Sequence, residues 1–87
     1  MVRNTKQADE TLMARVRAVY GAEFPNALVD VSPGYADHIH VILVSREFDD
    51  MPEAEKQSVL WRIAEQELGD DRQLISLMLA YSPDELK

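Results

Sequence analysis

No cysteine occurs anywhere in the chain, which excludes disulfides, thiolate metal ligands and a thiol nucleophile. Glycine is almost as scarce. Gly21, Gly34 and Gly69 are the only three, so there is no Gly-x-x-Gly clamp, no Gly-rich phosphate loop and no nucleophile elbow. No apolar run approaches the roughly 18 residues of a membrane span. Residues 1 to 10 are polar and charged, unlike a signal sequence, so a cytoplasmic protein without a membrane segment is expected. Basic residues are few, 9 against 16 acids, giving a formal charge of −7. The imbalance is concentrated between Ser45 and Gln73. There Glu47, Asp49, Asp50, Glu53, Glu55, Glu65, Glu67, Asp70 and Asp71 face only Arg46, Lys56, Arg62 and Arg72. A field of this sign repels nucleic acid at long range and keeps the surface solvated.

What is present is enough for one core. The chain has 87 residues, of which 46% are apolar, and a second core does not fit in that length. A domain this small buries only about 60 to 65% of its unfolded surface. Association with a partner protein, or with a second copy as a homodimer, therefore adds stability.

Periodicity outlines the elements. Leu12, Val16 and Val19 or Tyr20 recur at helical spacing, predicting a helix over residues 5 to 20, with Asn4 and Gln7 as a capping box and Gly21 as its stop. Phe24 precedes Pro25 and is expected to pack under the domain. Ala27-Leu28-Val29-Asp30-Val31 reads as a strand, and the turn residues Ser32 to Asp37 lead to a second strand, His38 to Ser45, making a hairpin. Apolar residues occupy both faces of that second strand, Ile39, Val41 and Leu43 on one and Ile42 and Val44 on the other, as in a central strand. Asp50 with Glu53 resembles a capping box, Pro52 fits a first turn, and Val59, Leu60, Ile63, Ala64 and Leu68 form a stripe ending at Gly69. This second helix is expected either whole or broken into two. Leu74 to Tyr81 reads as a buried strand, and Ser82-Pro83-Asp84-Glu85 as a helix start. The fold class is therefore α+β, a three-stranded sheet with helices packed on one face, in the order α-β-β-α(α)-β.

Two candidate chemistries follow from the residues themselves. His38 and His40 are two apart on the expected strand, so both imidazoles face one way and can reach one metal or one acidic partner. A closed metal site needs a third and fourth ligand, and none is indicated, so half-buried structural histidines are the competing reading. The acids of the turns and helix starts have local structural reasons to be there, which points to a non-enzymatic protein. Trp61 reads as core or core edge, and Tyr35, in the hairpin loop, as an exposed contact.

Val44-Ser45-Arg46-Glu47-Phe48-Asp49-Asp50 and Ser82-Pro83-Asp84-Glu85 carry a family resemblance. From Val29 to Leu86 the chain resembles the BolA-like family, whose fold is similar to a type II KH domain. The family's second strand ends in Val-Ser-x-x-Phe-x-Gly, with Asp50 standing here at the glycine, and its frequent ending is Thr-Pro-x-Glu. The resemblance implies a monothiol glutaredoxin as partner, sharing an iron–sulfur cluster, and stress-linked regulation. In the family the cluster is held by a His of the helical region or last strand and a His or Cys of the hairpin loop. The family's Arg-His-Arg and His-Ala-Leu correspond to Lys56-Gln57-Ser58 and Gln73-Leu74-Ile75. Amides thus stand for imidazoles, and an amide oxygen is a weak, hard iron donor. The expected contact residues are Tyr35, His38, His40, Lys56, Gln57 and Gln73, with His38 and His40 as the metal candidates. A second reading is a nucleic-acid-binding regulator on the KH-like scaffold, using Arg3, Lys6, Arg15 and Arg17; a third is a diverged member with another role.

Overall fold

The computed structural model describes residues 7–86. Arg3, Asn4 and Lys6 lie outside them. The elements are α1 (Glu10–Glu23), β1 (Leu28–Pro33), β2 (Ile39–Val44), α2 (Glu53–Leu68) and β3 (Ile75–Tyr81), with 3-10 turns at Arg46–Phe48, Gly69–Leu74 and Pro83–Leu86. The order β1-β2-β3 makes β2 central. It pairs antiparallel with β1 and parallel with β3. The expected α-β-β-α-β order and the α+β class are both present.

Helix α1 starts later than its periodicity suggests. Asp9 is the cap, its Oδ1 accepting from the Thr11 and Leu12 amides at 2.8 and 3.3 Å, so the helix begins at Glu10. Gly21 does not stop it. The helix runs through Gly21 to Glu23 and ends where Pro25 disfavours helical backbone at Phe24, whose own N–H closes on the Tyr20 carbonyl. Phe24 then turns into the core against Phe48, ring centroids 5.2 Å apart.

Helix α2 is one continuous segment whose stop is Gly69, at φ +56. The Asp50 capping box does not form. Pro52 occupies the cap position without a side-chain bond, and Asp50 lies two residues upstream at φ +60.

The core lies between the helices and one face of the sheet. Leu12, Val16 and Tyr20 of α1 and Leu60, Ile63, Ala64 and Leu68 of α2 cover Val31, then Ile39, Val41 and Leu43, then Ile75, Met78 and Ala80. Each large side chain so buried contributes roughly 1.5–3 kcal/mol. An irregularity between Ile39 and His40 sets the facing of β3: Ile39 pairs with Ile75, but His40 pairs with Leu77. Ser76 is the extra residue. Without it, Ile75 would share a face with Leu77 and Leu79; with it, Ile75 joins Met78 and Ala80 inside.

Tyr20 joins the two helices through its hydroxyl, which donates to the Leu60 carbonyl at 2.7 Å. Burial pushes its phenol well above the ordinary tyrosine value, so it remains a donor.

Candidate functional site

One face of the sheet is covered and the other is open. Alternation along the strands places Leu28, Asp30 and Ser32 of β1, His40, Ile42 and Val44 of β2, and Leu77, Leu79 and Tyr81 of β3 on the uncovered side, Leu28 and Asp30 exposed and the others partly buried. The pairing aligns them in three rows, Leu28-Val44-Tyr81, Asp30-Ile42-Leu79 and Ser32-His40-Leu77. Six of the nine are apolar or aromatic. Sequence alternation in β2 displays Ile42 and Val44, but it does not tell that the helices leave their face uncovered.

At the His40 end this face meets the hairpin loop. The Gly34 amide donates to the His38 carbonyl at 2.8 Å, and the His38 amide to the Tyr35 carbonyl at 3.0 Å, closing the loop tightly. The Tyr35 side chain therefore projects outward and is 87% exposed. The imidazole of His40 lies over Gly34: a Cβ there would sit 2.7 Å from its Nε2, so a side chain at position 34 would displace the ring.

The two histidines are not equivalent. His38 belongs to the loop rather than to β2, with Nδ1 3.1 Å from the Tyr35 carbonyl and 3.8 Å from Asp37. The strand argument for a shared facing therefore does not apply to the pair. Among the described residues no group of three or more His, Cys, Asp or Glu comes together.

Gln73 is exposed in the turn before β3, and the Ile39–Ile75 pairing brings that turn to the sheet end that carries the hairpin loop. Tyr35, His38, His40 and Gln73 thus share one end of the domain. Lys56 and Gln57 do not join them. Lys56 is 1% exposed and its ammonium donates to the Ala80 carbonyl at 3.1 Å and to Glu85 at 2.7 Å. Gln57 donates to the Met78 carbonyl at 2.8 Å and to Glu53, and accepts from Trp61 Nε1 at 3.0 Å. Both side chains engage carbonyls of β3, a strand whose only sheet neighbour among the described residues is β2, and so occupy edge groups that would otherwise accept another strand. Lys56 stands one turn before Leu60, within the buried stripe, which is the sequence signal for its inward position.

The Lys56 ammonium and the Ser82 amide hold the Glu85 carboxyl below the usual glutamate range. Of the basic residues proposed for nucleic acid, Arg15 is engaged by the Glu67 carbonyl and Asp71, and Arg17 by the Val31 carbonyl. No helix among the described residues is long and apolar enough to cross a membrane. No protein-family model, no curated protein and no solved structure matches the chain.

Proposed function

We propose that the chain is a BolA-like domain that acts without catalysis, by protein–protein contact, through the open sheet face and the hairpin loop at its end. The observation that carries this reading is the uncovered apolar face. Leu28 is 66% exposed, and Ile42, Val44, Leu77, Leu79 and Tyr81 beside it each keep part of their surface in contact with solvent. Contiguous apolar surface on so small a domain favours a partner, since burying it removes it from water.

Two backbone details support the family assignment. Asp50, at the glycine position of the Val-Ser-x-x-Phe-x-Gly motif, has a left-handed φ of +60, the conformation for which glycine is favoured. In the Ser-Pro-x-Glu ending, Glu85 Oε1 accepts the Ser82 amide at 2.7 Å, which gives the ending a structural task.

The partner implied by the resemblance is a monothiol glutaredoxin, with a stress-linked regulatory adaptor role as the wider context. The donor set does not fit an iron–sulfur cluster held in the family manner. Gln57 is committed to Met78 and Trp61, Gln73 is an amide, and the chain's imidazoles are His38 and His40 alone. Contact, rather than cluster ligation, is the proposed role.

Amide-resolved NMR during titration with a purified monothiol glutaredoxin tests this. Shifts confined to Tyr35, His38, His40, Ile42, Leu77, Leu79 and their neighbours are expected. A spectrum unchanged at saturating partner rules out the glutaredoxin, and shifts restricted to α1 rule out the surface.

A further inference from the structure

The solvent side of α2 carries a different kind of site. Ser58, Trp61, Arg62 and Glu65 follow one another at spacings that keep them on one side of the helix, and Arg72 of the next turn stands beside them. Together they line an open pocket of about 360 Å³.

Two of these five residues are guanidiniums, in a chain of formal charge −7. Elsewhere among the described residues Arg15, Arg46 and Lys56 each have carboxylate partners, and Arg17 bonds to a carbonyl. Arg62 has neither an ion pair nor a hydrogen bond among the described residues. Arg72 gives Nη1 to the Gly69 carbonyl at 2.8 Å, which steadies the guanidinium and leaves the remaining donors of its fork free. Glu65 lines the same pocket without pairing to either arginine. The Trp61 indole is fixed by its bond to Gln57, which is itself anchored on Met78 of β3.

We propose that this pocket binds a small organic phosphate monoester, its phosphate between Arg62 and Arg72 and its organic body against the Trp61 indole. A carboxylate is satisfied by a single bidentate guanidinium, whereas a tetrahedral dianion has acceptors for two and for the Ser58 hydroxyl as well. The negative charge of Glu65 works against a bare anion. It favours instead a ligand whose body offers O–H or N–H donors, as a phosphorylated sugar or nucleoside does.

Trp61 is the only tryptophan, so its fluorescence and its indole N–H resonance report directly on the pocket. The probes are adenosine 5′-monophosphate, adenosine and inorganic phosphate, added to the full chain at low salt. Saturable binding of the monophosphate with Kd on the order of 1 mM is expected, with the other two at least about tenfold weaker. Arg62→Gln weakens the monophosphate about fivefold, and Glu65→Gln strengthens it; among the described residues neither has a bond that the fold depends on. Absence of saturable change in both signals, or an affinity untouched by Arg62→Gln and Arg72→Gln alike, overturns the site. Equal binding of adenosine removes the phosphate assignment, and equal binding of inorganic phosphate removes the indole's part.

Discussion

The ammonium of Lys56, enclosed between α2 and β3, bonds at once to the Ala80 carbonyl and to the Glu85 carboxylate near the end of the chain. A lysine is seldom buried, and here an acceptor and a counter-ion meet its ammonium inside. It ties the final turn to the edge of the sheet. Replacement by methionine keeps the aliphatic stem but leaves the Ala80 carbonyl unmet. We expect a loss of about 1–3 kcal/mol in urea denaturation, set by that buried bond. The half-exposed ion pair adds little, since solvent screens it.

The same contact predicts an acid response. Glu85 has a folded-state pKa below the ordinary glutamate value of about 4.3. Its stabilising contribution is therefore complete above that pH and is lost as pH falls through the lowered folded value, where the native carboxylate takes up a proton. Urea midpoints measured from pH 6 to pH 2.5 should fall more steeply for the wild type than for Glu85→Gln. Parallel curves would show that the pairing with Lys56 does not persist in solution.

Asp50 supplies an independent test of the backbone. It is exposed, and its φ of +60 is tolerated by aspartate but free of strain only for glycine. Asp50→Gly should leave stability unchanged or raise it by up to about 1 kcal/mol, because relief of strain competes with added freedom of the unfolded chain. Asp50→Val should lower it by about 1–2 kcal/mol, since a β-branched side chain fits that geometry poorly. Thermal unfolding of the pair decides it, and equal melting temperatures would contradict the left-handed assignment.

The element order was legible because it rests on patterns of one element at a time: the four-residue spacing of Leu12, Val16 and Tyr20, the alternation of Ile39, Val41 and Leu43, the glycine at position 69. The errors arose where a local signal competed with a tertiary one. Asn4 and Gln7 have the form of a capping box, yet Asp9 lies nearer the first core contact, Leu12, and caps there. Lys56 and Gln57 are expected as contacts because they stand at the positions of the family's Arg-His-Arg. Their partners, the carbonyls of Ala80 and Met78, lie more than 20 residues away, on a strand edge that no local pattern reveals. The pocket of Arg62 and Arg72 was equally hidden, because what matters there is the carboxylates that do not reach them.

Gly34 and His40 offer a coupling measurable without any ligand. A methyl group at position 34 meets the His40 ring at 2.7 Å, and the ring, being the end of a side chain, must swing away. Gly34→Ala should cost about 1 kcal/mol in the wild type. In a His40→Ala background the space is open and the same change should cost little. The non-additivity in a double-mutant cycle measures the contact. Additive effects would mean that the ring does not rest over Gly34.

Adjacent residues of β2 should behave oppositely, and the contrast separates the fold from its surface. Leu43 is fully buried against the helices, whereas Ile42, one position earlier, lies on the open face between Asp30 and Leu79. Truncation of Leu43 to alanine opens a cavity and should cost about 2–5 kcal/mol. Ile42→Thr retains the β-branched shape suited to a strand and loses only part of a half-exposed apolar contact, so a cost below about 1.5 kcal/mol is expected. Binding should rank the other way. Leu43→Ala, studied at a temperature where it remains folded, should keep its affinity for a protein partner, while Ile42→Thr places a hydroxyl where apolar surface has to be desolvated and should weaken it. If Ile42→Thr proved as destabilising as Leu43→Ala, the second face would have to be covered in solution, and self-association measured by sedimentation would be the first place to look.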